Sequence, residues 1–339
     1  MDGGLDSVSS YRAFRVHRSE QGSLARSIEE LDDRDLPAGE LLVEVHYSSL
    51  NFKDALSATG HPGVTRHFPH TPGIDAAGVV IESETSSVQL GEEVIAIGFD
   101  LGMNTPGGFG QRVRIPSHWA VPRPADLSLE ESMALGTAGF TAAACLDKLE
   151  VQGMRPSDGP VLVTGATGGV GSVAVGLLSG LGYEVYASTG KPEQSDYLRR
   201  LGASRVLDRN ELADDSGRPL GRETWAGCVD TVGGSTLASA IKSLRYGGSV
   251  ACCGLVGGTS VSTSVFPFLL RHVNLLGVDS AEMPEGEKKR IWNRLADEWR
   301  VGGVEMITRS LRLEGLSEAI DQILAGRMVG RRLIDLRSS

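Results

Sequence analysis

The chain reads as an α/β protein, with a doubly wound parallel sheet in mid-sequence and a smaller β-rich domain built from what precedes and follows it. Three observations predict this. From about Ala134 onward, short β-branched strands alternate with helix-length stretches. The run "VLVTGATGGVGSVAVGLLSGL" from Val161 sets a glycine cluster between a strand and a helix. Residues 11–133 carry short apolar runs punctuated by glycine and proline instead.

Taken in order, "ELLVEVHYSSLNF", "GVVIES", "EEVIAIG" and "QRVRIPSHWAV" predict the strands of a small, irregular barrel. "ALGTAGFTAAACLDKL" predicts a helix. The segments "VLVTG", "YEVYAS", "SRVLD", "GCVDTVG" and "GGSVACCGL" predict a parallel sheet covered on both faces, since each is short, apolar and β-branched. After "RHVNLLGVDS" the alternation stops. A polar helix follows around "PEGEKKRIWNRLADEW", then an amphipathic one with Leu316, Ile320, Ile323 and Leu324 on one stripe, then a strand, "RRLIDL". The tail resembles the first third in composition and is expected to fold back on it. The expected division is 11–133 with 272–339, and 134–271.

The totals exclude more than they identify. The 339 residues suffice for two domains, and 40% hydrophobic with 22% charged residues describes a globular protein with ample core material. A net charge of −10 argues against nucleic acid and anionic membrane as partners. No apolar run reaches the roughly 18 residues of a spanning helix. The polar "MDGGLDSVSS" lacks a cationic start and an apolar core, so the cytoplasm is expected. Four cysteines without metal-ligand spacing read as small buried hydrophobes in a reducing compartment.

The glycine turn carries the chemistry. Backbone N–H groups at a helix start lack internal partners and receive a diphosphate, provided the turn is bare of side chains. Gly168 lets the backbone approach the pyrophosphate and Gly171 lets helix pack on strand. Ala166 takes the first glycine position of G-x-G-x-x-G, although Gly165 precedes it. A tight strand–helix corner without ligand is the alternative. At the tip of the next strand, where NAD binders place a carboxylate, stand Thr189, Gly190 and Lys191, and no acid occurs before Glu193. A hydroxyl and an ammonium suit a 2′-phosphate, which favours NADPH; the other reading of Lys191 is a solvated surface lysine.

"SSLNFKDALSATG", "PGIDAAGVV", "LGTAGFTAAACL", "VTGATGGVGS", "LGASRVLDR", "VDTVGG" and "YGGSVACCGL" occur in order at the right intervals. Over nearly the whole chain they resemble the medium-chain dehydrogenase/reductase superfamily, in its zinc-free quinone-oxidoreductase-like branch. "SLNFKDAL", "LGTAGFTA", "GASRVL" and "PFLLRHVNLLGVDS" resemble the NADPH-dependent acryloyl-CoA reductases. The resemblance implies a Rossmann domain inserted in a GroES-like catalytic domain, an active site in the cleft between them, and a homodimer built by edge strands near "VNLLGVDS". Zinc-dependent relatives carry a Cys and a His-Glu pair where Asn51, Ile74 and Asp75 stand here, so no metal is expected.

The resemblance also implies roles. Asn51 binds or orients a polar group beside the nicotinamide, or is a satisfied turn asparagine. Asp54 is catalytic or caps a helix start. Phe52 stands where many relatives have a tyrosine that stacks on the cofactor; it stacks too but carries no proton. Arg331 engages a thioester carbonyl or a CoA phosphate, with Arg332 and Arg327 as alternatives. Thr141, Leu255 and Ser280 line the cofactor and Phe266 covers its nicotinamide end. Thr167, Gly169, Val170 and Arg205 complete its contacts. His61 and His67 flank an entrance loop. The expected reaction is NADPH-dependent reduction of an activated C=C bond in a small-molecule substrate, acryloyl-CoA or a related short enoyl-CoA. Quinone reduction is the alternative within enzymes, and a non-catalytic NADPH-binding protein the alternative outside them.

Overall fold

The computed structural model describes residues 10–213 and 216–337. They form two compact units. One takes the chain up to Thr137, Ala281–Arg290 and everything from Thr308; the other takes Ala138–Ser280 and Ile291–Ile307.

The first unit is built on a sheet whose strands run, edge to edge, Thr308–Leu311, Arg331–Asp335, Leu41–Ser49, Asp75–Ser83, Glu93–Ile97 and Ala120–Pro122. Arg112–Ile115 pairs with Leu41–Ser49 as well. Only Thr308–Leu311 with Arg331–Asp335 is parallel. Alternating residues such as Leu41, Val43 and Val45 turn into a core shared with Phe14, Phe109 and Ile115. The tail does return here: Leu316, Ala319 and Ile320 of the helix Leu316–Leu324 enter that core, with Ile323 packed against it. Leu324, expected on the same stripe, is 37% exposed. Ala319 enters the core instead. Ser10–Arg18 and Leu24–Asp32 form an antiparallel hairpin.

The second unit holds a six-stranded sheet. In chain order its strands are Val161–Val163, Val185–Thr189, Arg205–Asp208, Trp225–Asp230, Leu244–Cys252 and Asn274–Gly277. Numbered so, the spatial order is 3-2-1-4-5-6 and every pair is parallel. Val161, Leu162 and Val163 have no exposed surface, as a strand covered on both faces requires. This is the doubly wound dinucleotide-binding topology, in which order reverses between the first and fourth strands and ligands settle beyond the carboxyl ends there.

Two boundaries differ from expectation. The segment from 272 divides, because Asn274–Gly277 extends the parallel sheet as its sixth strand and Trp292 packs on Phe140 at 5.8 Å between ring centroids. Arg294 also pairs with Asp147 at 3.1 Å and Glu150 at 3.2 Å, fixing its helix to the second unit. Ala281–Arg290 stays with the first unit through Lys288, whose Nζ donates to the Ile97 and Ala281 carbonyls and lies 3.4 Å above the Phe99 ring. The other change falls inside a helix. Leu129–Val151 is broken at Gly136 (φ 51, ψ −156), and the units divide just after it, at Thr137.

Among the described residues, no helix is long and apolar enough to cross a membrane.

Candidate functional site

The glycine turn of the second unit lies at the carboxyl end of Val161–Val163, at the point where strand order reverses. Three glycines there answer three demands. Gly165 has φ +59, and a Cβ on it would stand 2.3 Å from Thr231 Oγ1. A Cβ on Gly171 would stand 2.3 Å from the Gly165 carbonyl oxygen, so the helix Gly169–Gly180 packs on the turn only if that position is bare. The fold itself asks for both. Gly168 is different: its φ is −77 and its Cβ would meet nothing nearer than 3.3 Å. The packing makes little demand for glycine there, and the bare position leaves the helix start open beside the N–H groups of Gly169 and Val170, as a helix N-terminus that receives an anion requires.

The neighbouring polar groups hold the turn in place. Thr164 donates to Asp230 Oδ1 at 2.7 Å, and Asp230 Oδ2 accepts from the Gly233 N–H at 2.8 Å, tying the first strand to the fourth. Burial pushes the Asp230 carboxyl up from its usual range, opposed by those bonds. Thr167 and Thr189 share a hydrogen bond at 3.1 Å, and Thr189 Oγ1 also accepts the Lys191 N–H at 3.1 Å. Thr141 donates to Ser280 at 2.9 Å. Leu255 and Phe266 are 59% and 45% exposed, available to a ligand.

Register corrects one cofactor contact. Arg205 pairs with Tyr186, whereas Asp208 pairs with Thr189. Arg205 therefore lies three residues, roughly 10 Å, from the carboxyl end that receives the nucleotide. There it faces Glu211 at 3.7 Å and the Tyr186 ring. The residue at the proper end is Arg209, which follows the strand directly. Its Nη2 donates to the Gly190 carbonyl at 3.4 Å, and a Cβ on Gly190 would collide with its guanidinium. Burial, and after it the opposing effects of Glu193 and Arg209, leaves the Lys191 ammonium below its usual pKa. Thr189, Lys191 and Arg209 thus gather at one tip. Counting from the strand's last residue was the signal that separates the two arginines of "SRVLDR".

The first unit contains a buried polar network. Asp75 Oδ2 accepts from Ser49 Oγ, from Asn51 Nδ2 at 2.8 Å and from the Thr137 N–H at 2.9 Å; Oδ1 accepts from Thr137 Oγ1. Arg331 donates from Nε to the Ala134 carbonyl, from Nη1 to the Leu50 carbonyl and to Asn51 Oδ1 at 2.9 Å, and from Nη2 to Ser49 Oγ at 2.7 Å. Its Nη2 stands 3.8 Å from Asp75 Oδ2, with the two side chains 2% and 0% exposed. Burial draws the Arg331 pKa down, while Asp75 and Asp54 hold it up.

The kink at Gly136 is what admits this network. A Cβ there would lie 2.3 Å from Ser49 Oγ, 2.5 Å from Asp75 Oδ2 and 2.6 Å from Arg331 Nη2. Asp54 sits beside it in the helix Phe52–Ala58, its Oδ2 accepting the Asn51 N–H at 2.7 Å and its Oδ1 the Ile74 N–H at 2.8 Å. Burial, then the charge of Asp75, raises its pKa to about 7.

Two expected roles change accordingly. Arg331 does not present a guanidinium to a CoA phosphate or a thioester, because it is buried with its donors turned inward; it orients Asn51. Arg332, 7% exposed, caps nearby carbonyls, and Arg327 is exposed. Asn51 has both amide hydrogens engaged, by Asp75 and by the Ser49 carbonyl, so it has no free donor for a substrate. Asp54, wholly buried, holds the Asn51 and Ile74 strand ends together. Phe52 is 37% exposed at the head of its helix, and His61 and His67 are exposed. Among the described residues, no group of three or more His, Cys, Asp or Glu side chains could hold a metal ion. At the positions of zinc ligands Asp75 is consumed by four donors and faces a guanidinium, a set that does not fit the metal.

Comparison with known proteins agrees with this geometry. Residues 37–125 match the alcohol dehydrogenase GroES-like domain, and 169–297 the family described as zinc-binding dehydrogenase. The acrylyl-CoA reductase AcuI of Ruegeria pomeroyi is 44% identical over 97% of this chain and 100% of its own length. The yhdH oxidoreductase of Salmonella enterica, solved in complex with NADP, superposes with a TM-score of 0.93 at 43% identity, covering 96% of this chain and all of the other. The Bacillus subtilis protein yhfP, solved with NAD bound and named a putative quinone oxidoreductase, superposes at 0.94 with 40% identity over 97% of this chain and all of its own. The chain belongs to the medium-chain dehydrogenase/reductase superfamily and, within it, to the family of acrylyl-CoA reductase AcuI.

Proposed function

We propose that this protein is an NADPH-dependent reductase of an activated C=C bond, acting on acryloyl-CoA or a related short enoyl-CoA to give the saturated thioester. The observation that carries the reading is the 44% identity to AcuI along the whole of that enzyme. When bound, the reduced nicotinamide supplies the hydride. The chain's own residues supply placement. The N–H groups of Gly169 and Val170 take the pyrophosphate beside the bare Gly168, and Thr189, Lys191 and Arg209 take the 2′-phosphate. Thr141, Thr167, Leu255, Phe266 and Ser280 line the remaining length.

A thioester carbonyl already withdraws charge from the β-carbon, so this reaction needs less electrophilic help than a carbonyl–alcohol interconversion. Phe52 has no hydroxyl, which assigns the proton for the α-carbon to water or to a group other than this ring. Within the first unit, Asp75 and Arg331 hold Asn51 in one arrangement.

The decisive experiment compares oxidation of NADPH by acryloyl-CoA and by a small quinone. A kcat/KM at least about tenfold higher for acryloyl-CoA supports the assignment. The opposite ranking favours quinone reduction, the activity that the name of the Bacillus relative suggests. Oxidation with neither, despite tight NADPH binding, would leave a cofactor-binding protein.

The reading includes a homodimer and a cytoplasmic setting. Asn274–Gly277 ends the parallel sheet with one side unpaired, and Leu275, Leu269, Leu270 and Tyr246 beside it are 44%, 73%, 58% and 73% exposed. An apolar sheet edge of this kind is a template for pairing with a second copy. Light scattering should give twice the chain mass, and Leu275→Lys should halve it. The four cysteines are all free, as a reducing compartment favours.

A further inference from the structure

No step of the reaction uses the segment "VDTVGG", although it stands at the carboxyl end of the fourth parallel strand, next to the glycine turn. Thr231, directly after that strand, bonds reciprocally with Thr164, directly after the first. The Thr231 N–H donates to Thr164 Oγ1 at 3.0 Å, and Thr231 Oγ1 donates to the Thr164 carbonyl at 2.9 Å. That carbonyl belongs to the planar peptide group leading into Gly165, where φ turns to +59. Holding its direction therefore fixes the plane from which the turn departs. A Cβ on Gly165 would collide with the Thr231 hydroxyl, so the bareness of this glycine accommodates Thr231.

The hydroxyl is presented from a pinned backbone. A Cβ on Gly254 would collide with the Thr231 carbonyl, and the Gly257 N–H donates to the Val232 carbonyl at 2.7 Å. Strand pairing does not depend on this hydroxyl. Val161–Val163 pairs with Gly227–Val229, the Thr164 N–H donates to the Val229 carbonyl at 3.0 Å, and Thr164 Oγ1 donates to Asp230 Oδ1 at 2.7 Å. The Thr231 hydroxyl acts beyond the strands, on the turn itself.

We propose that Thr231 is a positioning residue for the dinucleotide: its hydroxyl holds the Thr164–Gly165 peptide, and through it the glycine turn, in the arrangement that receives the diphosphate. The inference rests on the reading of this turn as the diphosphate site. Without the hydroxyl the Thr164 carbonyl loses a donor, and the turn must be brought back to that arrangement at binding. Apparent affinity falls by the fraction of molecules that hold it. For one neutral hydrogen bond the loss is about 2- to 13-fold. NADPH and NADH share the diphosphate, so both should lose alike.

The test is calorimetry of NADPH and NADH with wild type, Thr231→Val and Thr231→Ser. Valine removes the hydroxyl at nearly constant shape, and serine keeps it. Thr231→Val should bind both cofactors about 2- to 13-fold more weakly, with the NADPH/NADH affinity ratio unchanged, and Thr231→Ser should recover most of the loss. Should Thr231→Val not fold, Thr231→Ala, which sets no methyl against the Thr164 carbonyl, takes its place. Wild-type affinity in the folded hydroxyl-free variant, even with a lowered urea midpoint, would show a purely structural role and overturn the inference. A loss confined to NADPH, which would place the effect at the strand tip, or a Thr231→Ser no better than Thr231→Val would overturn it too. Wild-type protein that binds neither cofactor would overturn the reading of the turn on which the inference rests.

Discussion

Replacing Arg209 by alanine removes a guanidinium that lies over Gly190 at the tip of the second parallel strand, beside Lys191 and Thr189. A hydrogen bond to a charged group contributes about 1.5–3 kcal/mol. Loss of the Arg209 bond to a 2′-phosphate should therefore weaken NADPH about 10- to 150-fold. NADH has a hydroxyl in that place and should lose little. Arg205→Ala is the internal control. Three residues of strand separate it from the tip, roughly 10 Å. Its guanidinium is turned to Glu211 at 3.7 Å and to the Tyr186 ring instead. The structure thus predicts a fall in the NADPH/NADH affinity ratio for Arg209→Ala and for Lys191→Ala, and an unchanged ratio for Arg205→Ala. Isothermal calorimetry with both cofactors reads all three variants. Equal losses for the two cofactors in Arg209→Ala, or a larger loss of preference in Arg205→Ala, would refute the reasoning.

Gly136→Ala should destabilise the first unit: the positive φ alone costs an L-residue about 1–2 kcal/mol, and three buried polar atoms stand within 2.6 Å of the new Cβ. A urea midpoint unchanged from wild type would contradict this. Phe52→Tyr should keep turnover within about threefold if the proton comes from elsewhere; a gain of about tenfold or more would show that a ring hydroxyl donates, general acids being worth at least about 100-fold. The Asp54 carboxyl gives a pH prediction. Its pKa is about 7 in the folded protein, against about 4 unfolded. Between these values the folded state binds the extra proton, so this group's contribution makes stability fall as pH rises from about 4 to 7. Denaturation of wild type and Asp54→Asn across that window should show the steeper decline in wild type; parallel slopes would remove Asp54 from the ledger.

The parallel strands were legible because a strand buried on both faces writes its burial into every residue, as "VLV" and "GCVD" do. The sixth strand was not. Leu275 and Gly277 on it are exposed, and the helix before it, Phe266–Arg271, is too short to signal a crossover. The Ser10–Arg18 hairpin hides for a related reason: its partner Leu24–Asp32 is mostly half-buried and mixes charged with apolar residues without a two-residue period. Gly136 reads as one tolerated glycine in a helix, since nothing local announces a kink whose cause is Asp75 and Arg331 arriving from distant strands. The same distance hid the network. Asn51 and Arg331 were singled out separately, and only the fold shows that each satisfies the other.

That mutual satisfaction bears on the chemistry. A catalytic metal would place a concentrated, incompletely ligated positive charge beside the substrate. Here the corresponding region holds one guanidinium, bonded to Asn51, Ser49 and two carbonyls and standing 3.8 Å from Asp75. Asp54, with a pKa near 7, adds at most a partial negative charge at neutral pH. Asn51 and the Thr137 N–H have no donor to spare, and Arg331 turns four of its N–H groups into the network. Its donors are spent inside the first unit, which leaves no electrophile there. Hydride addition to an alkene already polarised by a thioester can run without such an electrophile, whereas an unassisted ketone or aldehyde would lack the charge stabilisation its alkoxide requires. The protein should accordingly reduce acryloyl-CoA while leaving simple saturated aldehydes untouched under the same NADPH assay, and comparable rates on both would show that an electrophile absent from this network is at work.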